Sequence, residues 1–198
     1  MAAKFMQLML TPAVQAAQER YFGRPQRKPD APERDSLTGD AVAFIASRDS
    51  FYLATTNADG WPYIQHRGGA VGFLKVLGPH VLGFADLKGN RQLLSVGNLD
   101  GNDRVALFLM DYPHRTRLKI LGHARVLDAR AHPELANEIS PAAEHRRLTE
   151  RLFLIDVVGF DWNCPQYITP RYTETEFEAL AAPLRTRIAE LEAKLAAR

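Results

Sequence analysis

The sequence predicts a mainly β protein, an antiparallel barrel with helices around its outside. Three observations lead there. Six or seven short runs rich in β-branched and aromatic residues lie between Phe51 and Gly159. Tight-turn signals separate them, among them Asp59-Gly60 and Gly78-Pro79. The helical patterns sit at the two ends and between strands, which suits helices packed on the outside of a sheet.

Taken in order, Thr11 to Gly23 reads as a helix, with Thr11 as N-cap, Pro12 at the first helical position and Gly23 as the stop. Arg24 to Asp35 is polar, carries three prolines and reads as an extended arm, either a surface linker or a strap for a partner subunit. Thr38 to Arg48 is a second helix. The strands follow: Phe51–Thr56, Trp61–Arg67, Val71–Leu77, His80–Ala85, Arg104–Asp111, Arg117–Leu127 and Arg151–Gly159. Arg104–Asp111 is nearly all apolar, so burial on both faces is expected. Gly122 marks a bend or bulge. Ala131 to Glu150 is helical and broken at Ser140-Pro141. Phe160 to Arg171 is irregular and too aromatic for a free loop. Thr173 to Ala197 is a closing helix with a Thr173-x-x-Glu176 capping box, an apolar stripe through Phe177, Leu180, Leu184, Leu191 and Leu195, and a kink or split at Pro183. The stripe calls for a groove or a partner helix. The expected divisions are a helix and arm over 1–37, the barrel over 38–172 and the helix over 173–198.

Composition narrows the function classes. The 198 residues are 46% hydrophobic and 24% charged, as in an ordinary globular chain. A net charge of +2 gives no argument for nucleic acid or an anionic membrane. Positive charge is nonetheless local. Lys or Arg occupies positions 67, 75, 88, 91, 104, 115, 117 and 119, and no Glu occurs between Glu33 and Glu134. A small anionic ligand suits that bias. The single cysteine, Cys164, excludes an internal disulfide and a Cys-based zinc cage, and reads as a packed thiol. The apolar run Phe5–Leu10 is too short for a secretory core, and no run approaches the length of a membrane span. A cytoplasmic protein is the expectation. The histidines show no metal spacing, and neither a P-loop nor G-x-G-x-x-G is present.

Chemistry concentrates between Gly60 and Val105. Arg67 ends an alternating run and is followed by Gly68 and Gly69, where backbone can approach a flat or anionic group. Gln65 and His66 must face opposite ways. If Gln65 and Arg67 point at a ligand, His66 points away and reads as a satisfied core or interface histidine unless a bulge reverses it. Lys88-Gly89-Asn90-Arg91 leads into Gln92–Gly97, which reads as one short helix capped by Asn90. A helix N-terminus already favours anions, so basic residues there make sense with a phosphate between them. Gln92 and Ser95 share that helix. Ser95 reads equally well as a surface serine.

These elements, closing on Asn102-Asp103-Arg104-Val105, resemble the FMN-binding split-barrel proteins related to pyridoxamine 5'-phosphate oxidase. The likeness runs from Thr38 to Arg171. It implies a split β-barrel, a homodimer with flavin at the interface, and FMN as cofactor. It implies cofactor contacts from Gln65, His66, Arg67, Gly68, Lys88, Arg91, Gln92 and Ser95. In that family a C-terminal segment reaches across the dimer to the flavin, which implies Trp162, Gln166 and Arg171 as further contacts. An FMN-dependent oxidoreductase acting on a small molecule is the leading expectation. Where the family's enzyme carries an Arg-x-His-Asp-Arg-like substrate segment, this chain reads Asn163-Cys-Pro-Gln-Tyr-Ile-Thr-Pro-Arg171. A substrate other than pyridoxamine phosphate follows from that departure. The alternatives are a deazaflavin-dependent reductase, a non-catalytic flavin-binding or haem-related carrier or sensor, and a structural barrel module.

Overall fold

Burial alternates along the strands, and this sorts the sheet into an inner and an outer face. The computed structural model describes residues 3–89, 91–140, 143–162 and 165–197. Its strands are β1 (Ser50–Thr56), β2 (Pro62–Gly68), β3 (Lys75–Gly78), β4 (Val81–Leu87), β5 (Arg104–Asp111), β6 (Thr116–Asp128) and β7 (Thr149–Trp162). They form one sheet in the order β2-β1-β5-β6-β7-β4-β3. The helices are α1 (Ala3–Met9), α2 (Pro12–Phe22), α3 (Gly39–Ala46), α4 (Leu94–Gly101), α5 (Pro133–Ile139), α6 (Ala143–Leu148) and α7 (Glu174–Ala196). The chain resolves into two compact units, Met1–Met110 with Arg117–Cys164, and Asp111–Thr116 with Pro165–Arg198.

In the first unit the inner face carries Phe51 and Leu53 of β1, Leu82 and Phe84 of β4, Leu107 and Leu109 of β5, and Phe153 and Ile155 of β7, all buried. Phe51 packs on Phe73 and Phe84 at 5.5 and 5.3 Å, and Phe84 stacks on Phe153 at 4.7 Å. These aromatics supply the largest apolar areas in the core. Strand β5 is fully buried on one face only. Ala106, Phe108 and Met110 on the other are half-buried, so the expectation of burial on both faces is corrected.

The region read as a strand from Val71 is mostly turn, and β3 begins only at Lys75. The chain there must pass close over the end of α3. Gly69 N–H donates to Asp49 O at 2.9 Å and Gly72 N–H to Arg48 O at 2.8 Å. Gly72 sits at φ 74°, and a Cβ there would lie 2.9 Å from Ala46 O. Only glycine meets both demands.

The long pair β6–β7 shifts register between Leu121 and Gly122. Leu121 opposes Gly159 while Gly122 opposes Val157, so Val158 is the extra residue. Odd-numbered side chains Phe153, Ile155 and Val157 point into the core before the bulge, and Phe160 does so after it. The N-terminal segment satisfies the bulged backbone. Asp35 N–H donates to Val158 O at 2.9 Å. The Asp35 carboxylate, buried at 6% exposure, accepts from the N–H groups of Lys4, Phe5 and Phe160 at 3.1, 3.3 and 3.4 Å. The end of the polar arm is thus fastened to β7 of its own chain, together with α1, a helix the sequence reading did not anticipate.

In the second unit α7 carries the expected capping box between Thr173 and Glu176. It runs unbroken through Pro183, so the proline does not split it. The apolar stripe, with Ile188 added, is exposed along its whole length.

Replacing Asp35 with Ala leaves three backbone donors without their acceptor. The variant is expected to lose roughly 2–4 kcal/mol of stability. Urea unfolding checks this, and a loss under about 0.5 kcal/mol would refute the stapling role.

Candidate functional site: a guanidinium-lined cavity beside β2 and β4

Strand β2 brings polar groups onto the inner face. Its register with β1 sets Phe51 opposite Arg67, Leu53 opposite Gln65 and Thr55 opposite Tyr63. Those β1 partners are buried, so Tyr63, Gln65 and Arg67 turn inward, half-buried, while Ile64, His66 and Gly68 turn out. The expected alternation therefore holds, and no bulge reverses it. His66 packs edge-on against Tyr52 at 5.6 Å.

Polar groups on an inner face need partners. Ser95 Oγ donates to Gln65 Oε1 at 3.0 Å, and Asn98 Nδ2 donates to Thr55 Oγ1 at 2.9 Å. Ser95 and Asn98 lie one helical turn apart, so the two bonds hold one face of α4 against β1 and β2. Ser95 is buried at 1% exposure, which removes the surface-serine reading.

Arg67 is held by charge. Its Nη1 donates to Asp86 Oδ1 at 2.6 Å, and Arg151 Nε donates to Asp86 Oδ2 at 2.8 Å. The β4–β7 register places Asp86 directly opposite Arg151. The Asp86 side chain is 9% exposed, and that of Arg67 15%. The Arg67 guanidinium lies over the Phe84 and Phe153 rings at 5.6 and 5.2 Å. Its Nε is buried with no hydrogen-bond partner among the described residues. An orphaned charged donor in a cavity wall is costly without a ligand to meet it.

The segment after β4 differs from its sequence reading. Helix α4 spans Leu94–Gly101, not Gln92–Gly97, and its N-cap is Leu93 without a side-chain cap bond. Asn90, expected as the cap, lies outside the described residues, as does Cys164. The helix starts late because Arg91 and Leu93 both adopt left-handed backbone, at φ 60° and 55°. Side chains other than Gly, Asn or Asp pay about 1–2 kcal/mol each for that conformation.

Around these groups lies a cavity of about 200 Å³, lined by Tyr63, Gln65, Arg67, Asp86, Arg91, Gln92, Ser95 and Arg151 among others. Three guanidinium groups face one carboxylate there, a surplus of two positive charges. A second cavity of about 180 Å³ shares Arg67, Asp86 and Leu87 and adds His66 and Gly68. A third, of about 430 Å³, shares Gly68, Phe73, Ala85 and Leu87 with the second, and adds Val71 and Ile139, with Lys75 and His145 as its basic groups. The three are neighbours through shared lining residues, the first mainly polar and the third more apolar.

Gln65, Arg67, Arg91, Gln92 and Ser95 are thus brought together, with His66 and Gly68 next to them. Lys88 is exposed and does not line the first cavity; its backbone N–H donates to Leu148 O at 2.8 Å. Trp162 packs edge-on against Phe44 at 5.0 Å, in the core of its own chain. In the second unit Gln166 is exposed in a turn and Arg171 lies 5.0 Å over the Tyr112 ring. Sequence reasoning missed Asp86, Arg151 and Tyr63. Asp86 is the only carboxylate between Asp59 and Asp100, and it closes an apolar strand, a signal of a paired charge. Among the described residues no group of His, Cys, Asp or Glu could hold a metal ion, and no helix is long and apolar enough to cross a membrane.

A seven-stranded, mainly antiparallel sheet with helices around it defines a split β-barrel. The profile described as pyridoxamine 5'-phosphate oxidase matches residues 37–158, and the chain belongs to that family. Two solved structures show the same fold. A candidate pyridoxamine 5'-phosphate oxidase from Lactobacillus delbrueckii is 22% identical, covering 64% of this chain and 93% of its own, with a TM-score of 0.50. HupZ of Group A Streptococcus is 12% identical, covering 69% of this chain and 100% of its own, with a TM-score of 0.52. No curated protein matches the sequence.

Leu93→Asn replaces a branched side chain with one that tolerates left-handed backbone. Stability is expected to rise by about 0.5–1 kcal/mol, read from the urea midpoint.

Proposed function

We propose that this chain is an FMN-binding oxidoreductase that works as a homodimer with the flavin at the subunit interface. One observation carries the reading. A cavity with a surplus of two positive charges lies next to a more apolar one, through lining residues they share with a third. FMN has that polarity, with a phosphate dianion at one end and a flat ring at the other. Arg67 and Arg91, the second with no ion pair among the described residues, supply charge-assisted donors for the phosphate. The first cavity alone is smaller than the roughly 300–1,000 Å³ of typical ligand pockets. It suits the phosphate end, with the ring along the following cavities and a second copy completing the enclosure.

When bound, FMN supplies the electron-transfer chemistry itself. The protein's part is to bind and orient. Arg67, fixed by Asp86 and the Phe84 and Phe153 rings, offers a donor that needs no reorganisation. Arg91 adds a second cation from the strained loop. The backbone at Gly68 and Gly69 allows close approach along the apolar section. The altered segment ending at Arg171 supports a substrate other than pyridoxamine phosphate.

The visible spectrum of freshly purified protein, with chromatography of the released cofactor, tests the reading. A flavin spectrum with FMN released is the expected result. Release of a 5-deazaflavin would replace FMN as the cofactor, and a colourless protein that fails to bind added FMN would remove the reading. Arg91→Ala is expected to weaken FMN binding by about 1.5–3 kcal/mol and to leave riboflavin binding unchanged. Flavin-fluorescence titration measures both.

A further inference from the structure

Arg151 lies 84 residues from Arg67 in sequence, yet the two share one carboxylate. Asp86 receives Arg67 Nη1 at 2.6 Å and Arg151 Nε at 2.8 Å. The three residues come from β2, β4 and β7, and all line the same cavity. Taking a carboxylate out of water costs several kcal/mol, and a buried ion-pair cluster gains little over apolar packing of the same volume. Fold stability alone gives this arrangement no advantage here, since Phe84 and Phe153 already pack directly beneath it. Its geometry has a different use. Each guanidinium is gripped by one edge and turned, so its remaining N–H groups keep a fixed direction. Arg151 spends one further group on Glu150, at 3.0 Å. Asp86 also sets the charge. Among the lining residues three cations would face the ligand without it, and with it the surplus is two, matching a phosphate monoester dianion; Glu150 lies outside that lining.

We propose that Arg151 is a further anion-binding residue of this cavity, and that Asp86 is the positioning residue that orients Arg67 and Arg151 as a pair for a phosphate monoester. The inference rests on the phosphate-binding reading above. It adds a ligand residue and a positioning residue from strands outside the Lys88–Ser95 segment.

The sign of one effect separates positioning from simple electrostatics. Asp86→Asn makes the cavity more positive, so a purely electrostatic role predicts tighter phosphate binding. A positioning role predicts weaker binding, because both guanidiniums lose their anchor.

The test uses the full chain and two probes. First, the unfolding midpoint is measured in inorganic phosphate and in chloride at equal ionic strength. The natural chain is expected to gain extra stability in phosphate, and Arg151→Gln to lose most of that gain. Second, the ratio of FMN to riboflavin affinity is measured. Arg151→Gln and Asp86→Asn are each expected to lower it about tenfold, equivalent to about 1.4 kcal/mol. Asp86→Glu is expected to restore part of the loss. Arg151→Lys keeps the charge without the forked geometry and serves if the glutamine variant does not fold; it is expected to lower the ratio less than Arg151→Gln would. An unchanged phosphate effect in the Arg151 variants, or a raised ratio in Asp86→Asn, overturns the proposal. No phosphate-specific stabilisation of the natural chain overturns it as well. Equal binding of FMN and riboflavin, with phosphate stabilisation still lost on Arg151→Gln, removes the flavin reading and supports this one.

Discussion

The carboxylate of Asp86 is the point on which the inner surface near the sheet's edges depends. Strand β2 lies at one end of the strand order, and β4 lies next to the other end. No backbone ladder joins them. The Arg67–Asp86 contact does, and the second Asp86 oxygen extends it to β7 through Arg151. Where main-chain hydrogen bonds do not close the barrel, a side-chain ion pair spans the gap. The aromatic rings of Phe84 and Phe153 form its floor.

The polar inner face of β2 imposes the arrangement of its neighbours. Gln65 and Thr55 each need a partner where water is scarce, and α4 provides both through Ser95 and Asn98. That fixes where α4 lies, and so where the Arg91 loop returns. The left-handed residues at 91 and 93 follow from this path. The chain must turn sharply between a fixed strand end and a fixed helix, and no glycine stands at either position.

Much of this was legible in the sequence. Alternation from Gln65 to Arg67 correctly sorted inward from outward side chains. Gly122 announced the register shift, Thr11 and Thr38 announced helix starts, and Thr173 with Glu176 announced the capping box. These signals are local, set by neighbours within a few residues. What was missed is non-local. The partnership of Asp86 with Arg151 depends on a cross-strand register that no short window contains. Trp162 read as part of an irregular segment reaching toward the flavin, whereas β7 continues three residues past Gly159 and carries it onto Phe44. The start of α4 was misplaced because its cap is conformational and Leu93 carries no capping side chain.

The bulge at Val158 acts as a parity bit for β7. Before it, odd positions face inward; after it, even ones do. Arg151 and Trp162 therefore sit on the same side of the sheet although one is odd-numbered and the other even. Removing Val158 itself would restore the regular ladder and leave Phe160 and Trp162 facing inward, whereas removing one residue beyond a retained bulge would bring Asp161 into the inward position of Phe160. A length change between the bulge and Trp162 thus has a stricter meaning than a substitution, because it exchanges the two faces of everything downstream.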